Sequence, residues 1–177
     1  MDQVQIRSAE ARDAADILAV YSYYVEHTAI SFEYDTPTLA EFQERMERTL
    51  AKYPYLVAVR DGNIVGYSYA GPFVGRAAYD WSAELTIYLK QEETGHGTGR
   101  KLYEVMEKKL AGMGITNLYA CIGDPLVEDE YLTHNSEKFH ARMGFVKVGT
   151  FHKCGRKFGR WYNMIWMEKL IGADGRS

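Results

Sequence analysis

Apolar positions along the chain repeat with two periods, one helical and one extended. Ile17, Leu18, Tyr21, Tyr24 and Val25 recur at the i, i+4, i+7, i+8 spacing and predict a helix from about Ala11 with one core-facing stripe. Thr38-Leu39-Ala40-Glu41 has the spacing of a capping box and opens a second helix, with Leu39, Phe42, Met46 and Leu50 on one face and Pro54 closing the segment. Leu102, Val105, Met106, Leu110 and Met113 mark a third helix, and Asn135 to Met143 a short fourth. Extended runs fall at Val4–Arg7, Tyr55–Arg60, Ile64–Ala70, Trp81–Leu89, Asn117–Ile122, Phe145–Phe151 and Trp161–Glu168. Asp61-Gly62 joins the second and third as a hairpin. In the fourth, Leu85, Ile87 and Leu89 share one face, and Ser82, Glu84, Thr86 and Tyr88 the other. The order β, α, α, three β, α, β, α, β, β describes a mixed sheet with helices packed on it, in the α+β or α/β class.

Composition narrows the class. A chain of 177 residues forms one domain, residues 1–177, and can bury about 70% of its unfolded surface. At 46% hydrophobic residues it is not a disordered chain. No apolar run is long enough to span a membrane and the first five residues make no secretory h-region, so the expected location is cytoplasmic. Cys121 and Cys154 are too few for a disulfide framework or a structural zinc site. His27, His134 and His152 show no ligand spacing, and no metal is expected. A net charge of −3 argues against a nucleic-acid binder of the usual basic kind.

Three constellations can carry chemistry. Gly95-His96-Gly97-Thr98-Gly99 lies between a strand and a helix, where glycines admit an anion close to the backbone and free N–H groups point at it. It has neither the Lys-Ser/Thr of a Walker A loop nor the spacing of a dinucleotide fingerprint, and an ordinary glycine-rich turn would read the same way. Glu84 stands in an apolar strand, as a general base whose pKa burial raises, as the partner of an arginine such as Arg76, or at an exposed edge position. Asn135 reads as a helix N-cap, with His140 one turn beyond Ser136 as a core-edge histidine or a catalyst. The acidic run Asp124, Glu128, Asp129, Glu130 is a solvated loop by default and could attract a cation.

These pieces, in this order, resemble the GNAT superfamily of acyl-CoA-dependent N-acetyltransferases. The strand, the loop Thr94 to Gly99 followed by Arg100, and the helix after it are similar to that family's acetyl-CoA-binding segment. Tyr69-Ala70-Gly71-Pro72-Phe73, Arg76 and Ala78-Tyr79-Asp80-Trp81-Ser82-Ala83-Glu84 resemble its phosphinothricin N-acetyltransferase branch nearly residue for residue, and Lys157-Phe158-Gly159-Arg160-Trp161 is similar to the branch's closing pattern. That branch includes enzymes acting on methionine sulfoximine and methionine sulfone. The resemblance spans about residues 4 to 168.

The resemblance implies a role for each position. Ile87, Tyr88 and Leu89 would offer backbone groups to the pantetheine arm; Thr94, Gly95, His96, Gly97, Thr98, Gly99 and Arg100 would cradle the pyrophosphate; and Asn135 would contact the cofactor. Glu84 matches the family's general base, and Phe32, Arg76, Tyr79 and Trp81 its acceptor pocket, with Arg76 available to an acidic group. His140 stands where the wider family has a tyrosine that protonates the leaving thiolate, and the branch itself has histidine there. A homodimer is also implied; its interface could use the aromatics Trp161, Tyr162 and Trp166, which otherwise read as sheet core.

Two departures stand out. Thr94 replaces the loop's usual Gln or Arg, and the segment from Gly123 to His134 is longer than in the branch.

The expected activity is acetyl transfer from acetyl-CoA to the amine of a small amino-acid-like acceptor, with no covalent enzyme intermediate. A polyamine, peptide or protein amine is the alternative, favoured by Glu128 to Glu130, whereas Arg76 favours an acidic acceptor. A non-catalytic CoA-binding module would show a missing base or a blocked pocket, and both Glu84 and the pocket residues are present.

Overall fold

Among the described residues, seven strands and four α-helices follow one another in the order the hydrophobic pattern predicts. The computed structural model describes residues 3–172. The elements are β1 (Gln5–Ser8), α1 (Ala14–His27), α2 (Leu39–Leu50), β2 (Tyr55–Arg60), β3 (Asn63–Pro72), β4 (Ser82–Leu89), α3 (Thr98–Gly112), β5 (Asn117–Asp124), α4 (Asn135–Arg142), β6 (Val146–Lys157) and β7 (Arg160–Leu170). They are distributed over two compact units. One comprises the chain up to Val20, Pro37–Leu118 and the chain from Leu170; the other comprises Tyr21–Thr36 and Tyr119–Lys169.

In the first unit the strands lie in the order β1-β2-β3-β4, each antiparallel to the next. The β2–β3 turn has φ of 50° at Asp61 and 77° at Gly62, the two left-handed residues a twisted two-residue hairpin requires. Helix α2 opens on the expected capping box: the Thr38 hydroxyl accepts from the Glu41 amide, and the Glu41 carboxylate accepts from the Thr38 amide at 2.8 Å. Phe42 and Met46 are buried beneath α2, while Leu39 and Leu50, at its two ends, are exposed. Helix α3 packs against β2 and β3 through Leu102, Met106 and Leu110. Met113 falls outside that stripe because the helix ends at Gly112, leaving Met113 as an exposed cap residue.

In the second unit the strands lie in the order β5-β7-β6, with β6 and β7 antiparallel. Both strands extend beyond the apolar runs that predict them. The apolar signal ends at Phe151, but β6 continues to Lys157 through a register shift between Phe151 and Gly155, with Lys153 at φ 48°. A bulge of this kind absorbs extra residues without ending the ladder, and it breaks the alternation from which a strand is read. The hairpin closes on Phe158 and Gly159, both left-handed, with the Phe158 ring stacked 4.1 Å from that of Tyr131. Ala29, Leu132 and Tyr162 form a buried cluster in this unit.

Candidate functional site

Glu84 and the glycine loop both lie in the first unit, on one strand and its continuation. The Glu84 carboxylate is half-buried on β4, opposite Gly71 of β3. Burial raises its pKa above the ordinary carboxylate value, since removing water penalises the charged form. Among the described residues nothing hydrogen-bonds or ion-pairs with it. Arg76, the partner the sequence allowed, is exposed and starts the short 3-10 turn Ala77–Tyr79. Arg76, Tyr79 and Trp81 thus share the exposed β3–β4 connection, with Tyr79 edge-on to Phe73 at 6.2 Å. Trp81 stands just outside β4, where its carbonyl accepts from the Thr116 amide.

Ile87, Tyr88 and Leu89 complete β4, paired with Ser68, Tyr67 and Gly66 of β3. A side chain at Gly66 would collide with Leu89, 2.4 Å from its Cδ2. The chain then turns through Gln91–Glu93 into the loop. Gly95 and Gly97 have φ of 83° and 81°, and nothing would touch a Cβ at either, so glycine is required there for its backbone freedom and not for room. Gly97 is the N-cap of α3, whose first N–H groups have no intrahelical acceptor. Thr94, Gly95, His96, Gly97 and Arg100 are exposed, and Thr98 and Gly99 are buried in the first turn of the helix.

A partly buried ion pair not apparent from the sequence braces this loop. Glu93 is 7% exposed and accepts from Arg60 at 2.9 and 3.0 Å and from the Thr98 hydroxyl at 3.1 Å. These hydrogen bonds, the Arg60 pair foremost, hold its carboxyl below the usual range. Arg60 and Glu93 lie 33 positions apart, and no local pattern links them.

The second unit carries Phe32, Asn135 and His140. Asn135 is the first residue of α4 and not its cap: His134 occupies the N-cap position, and the Thr133 hydroxyl accepts from the Asn135 amide at 3.3 Å. The reading of Asn135 as N-cap is therefore corrected, because the helix starts one residue earlier than a capping asparagine would require. His140 is 3% exposed, edge-on to Phe139 and Phe145, and its Nδ1 donates to the Ser136 carbonyl at 2.8 Å. Burial depresses its pKa to about 4, against a smaller opposing effect of that hydrogen bond, so the imidazole is neutral at pH 7.

The acidic run is largely engaged with its own unit. Arg160 forms a two-pronged pair with Glu130 at 2.7 and 2.8 Å and also reaches Asp129 at 3.1 Å. Asp129 further accepts from the Tyr131 and Leu132 amides and from the Tyr162 hydroxyl. Desolvation works to raise the Asp129 pKa, but these donors outweigh it and hold it low. Glu128 accepts from the His134 amide at 2.9 Å. The negative charge that would recruit a cationic acceptor is thus already paired. Asp124, His134 and Glu137 also converge, with ligand-type atoms within 4.8 Å of one another, a grouping the histidine spacing did not reveal. Ion pairs account for it: His134 Nδ1 lies 3.2 Å from Asp124, and Lys147 lies 2.7 Å from Glu137. Glu128 and Asp129 of the run also line a cavity of about 430 Å³, together with Val127, Lys153 and Trp161, whereas Glu84, the glycine loop and the residues matched to the acceptor pocket do not line it.

Comparison with known proteins decides the family. A domain family described as the acetyltransferase (GNAT) domain matches residues 6–166. The chain belongs to the GNAT acetyltransferases. It is 32% identical to the phosphinothricin N-acetyltransferase of Streptomyces viridochromogenes over 94% of this chain and 87% of that one. It is 28% identical to the L-methionine sulfoximine/L-methionine sulfone acetyltransferase of Salmonella typhimurium over 92% of each. The crystal structure of a GNAT superfamily phosphinothricin acetyltransferase from Sinorhizobium meliloti in complex with AcCoA superimposes with a TM-score of 0.88 at 29% identity, over 97% of this chain and 90% of that one. The expected fold, a GNAT mixed sheet flanked by helices, is the one the chain has.

Proposed function

We propose that the chain is an N-acetyltransferase that moves the acetyl group of acetyl-CoA to the amine of a small amino-acid-like acceptor of the phosphinothricin or methionine sulfoximine kind. Both units belong to one acetyltransferase domain in this reading, in keeping with the single family match over residues 6–166. The observation that carries it is Glu84, a half-buried carboxylate with a raised pKa on the strand that leads into the left-handed glycines of the loop. An ammonium cannot attack a thioester, so the base must first take its proton, directly or through water. A carboxylate pushed up by burial is better matched to that task at neutral pH than an ordinary one.

The other residues divide between the two substrates. The backbone at Ile87, Tyr88 and Leu89 receives the pantetheine arm, and its N–H groups polarise the thioester carbonyl. Thr94 to Arg100 receive the pyrophosphate: the two left-handed glycines and the unpaired amides at the start of α3 fit a phosphate group, and Arg100 adds charge. Asn135 contributes a further cofactor contact. On the acceptor side the first unit supplies Tyr79, Trp81 and exposed Arg76, which pairs with no acid among the described residues and receives a carboxylate or phosphinate group; Phe32 is the second unit's acceptor-side residue. Neutral His140 has no imidazolium proton to deliver, so the departing thiolate, whose conjugate thiol has a pKa near 8.5, is protonated through solvent. A cytoplasmic homodimer completes the reading. Exposed Trp161 is available to a subunit contact, whereas Tyr162 is buried in the second unit.

Thiol release from acetyl-CoA tests this against methionine sulfoximine, phosphinothricin, ordinary amino acids, spermidine and lysine peptides. Turnover on the first two is expected. Turnover confined to spermidine or peptides would reassign the acceptor, and acetyl-CoA binding without turnover on any of them would count against the reading.

A further inference from the structure

The ring of Phe32 is held on several sides within the second unit. A Cβ at Gly155 would lie 2.6 Å from Phe32 Cε2 and 3.0 Å from Cδ2 and Cζ, so the ring fills the space a side chain would need. A Cβ at Gly123 would lie 3.6 Å from Phe32 Cζ. The Tyr162 ring lies 6.3 Å away at 32°, its hydroxyl fixed by Asp129 at 2.9 Å. Gly155 is not among the left-handed glycines, so alanine there would not strain the backbone. What glycine supplies at 155 is room for one ring.

The backbone beside that ring is held as firmly. The buried Lys157 ammonium, two residues beyond Gly155 on β6, donates to the Val25 carbonyl at 2.6 Å and the Ser31 carbonyl at 2.8 Å. Val25 is in the last turn of α1, where carbonyls lack an intrahelical partner and the helix dipole favours a cation. Ser31 adjoins Phe32, and its hydroxyl meets the Tyr21 hydroxyl at 2.8 Å. A buried ammonium is costly to desolvate, and a methionine would fill the same space without that cost. What the lysine adds is directionality, tying the end of α1 and the segment bearing Phe32 to one point on β6.

We propose that Gly155 and Lys157 are positioning residues that set where the Phe32 ring stands and so which acceptors fit beside it. The inference rests on the reading of Phe32 as an acceptor-side residue. It also gives the extended acidic segment a task, since Asp129 holds Tyr162, which in turn faces Phe32.

The experiment compares Phe32→Leu, Gly155→Ala, the double variant and Lys157→Met. It measures KM for methionine sulfoximine and phosphinothricin, KM for acetyl-CoA, and amide hydrogen exchange over residues 30–34. Gly155→Ala and Phe32→Leu should each raise acceptor KM about tenfold, with acetyl-CoA KM within about twofold of the parent, and the double variant should be no worse than Phe32→Leu alone. Lys157→Met and Gly155→Ala should both speed exchange at residues 30–34. If Phe32→Leu raises acceptor KM and Gly155→Ala does not, or if their effects simply multiply, Gly155 does not act through Phe32. If Phe32→Leu leaves acceptor KM alone, the acceptor-side reading of Phe32 falls. Exchange decides the positioning claim even without turnover: faster exchange in both variants supports it, and unchanged exchange overturns it.

Discussion

The Thr98 hydroxyl, in the first turn of α3, donates to the buried carboxylate of Glu93 at 3.1 Å, linking the two sides of the glycine loop. Arg60 holds the same carboxylate from β2. A loop with two left-handed glycines is intrinsically permissive, so its shape depends on such bracing. Glu93→Gln keeps the volume and removes the charge. Charge-assisted hydrogen bonds contribute about 1.5–3 kcal/mol, so acetyl-CoA KM should rise about tenfold or more while acceptor KM stays within about twofold. Initial-rate kinetics in both substrates check this, and an unchanged acetyl-CoA KM would detach the loop from cofactor binding.

Ser68 offers a test of stability alone. It is fully buried in β3, between Leu56 and Ile87 in register, and its hydroxyl has no hydrogen-bond partner among the described residues. An unsatisfied buried hydroxyl costs on the order of 1–3 kcal/mol. Ser68→Ala should therefore stabilise the fold by about 1 kcal/mol, seen as a higher urea midpoint with the same m-value. A lower midpoint would mean that the hydroxyl is satisfied in solution.

His140 predicts an acid-sensitive fold. The unfolded chain takes up the proton near pH 6.5 and the folded chain only near about 4. Below pH 6.5 the unfolded state therefore binds more protons, and stability falls with pH until both states are protonated. The loss over this window is about 3 kcal/mol, and none of it is present above pH 6.5. Denaturant unfolding of the parent and of His140→Gln at pH 7 and pH 4.5 measures it, and the variant should lose distinctly less on acidification.

Much of this architecture was legible in the chain because its signals are local. The Thr38–Glu41 box, the Asp61-Gly62 turn and the stripe beneath α3 each need only neighbouring residues, and each formed as read save for Met113 at the end of the stripe. Glu84 was legible as an anomaly, a carboxylate in an apolar strand, and of its readings the ion pair with Arg76 is one the fold does not make, since Arg76 is left exposed. Where tertiary pairing decides the outcome, the pattern was silent. Glu128 to Glu130 read as a solvated acidic run until Arg160, some 30 positions away, came to lie beside it. Lys157 entered only as part of a closing motif, and nothing local pointed to its partners, carbonyls 126 and 132 positions earlier. The end of β6 was hidden because a bulge interrupts the alternation from which a strand is recognised.

The most direct test of acetyl transfer through Glu84 is the turnover of Glu84→Gln at saturating acetyl-CoA and acceptor. Glutamine preserves shape and cannot accept the amine's proton. General-base catalysis typically contributes about 10²–10⁴-fold, so kcat should fall by that order while acetyl-CoA KM stays near the parent value. In the parent, kcat/KM should rise with pH as the raised Glu84 carboxyl ionises, and the variant should lose that limb of the profile. A variant that turns over within a few-fold of the parent would contradict the assignment of Glu84 as the base.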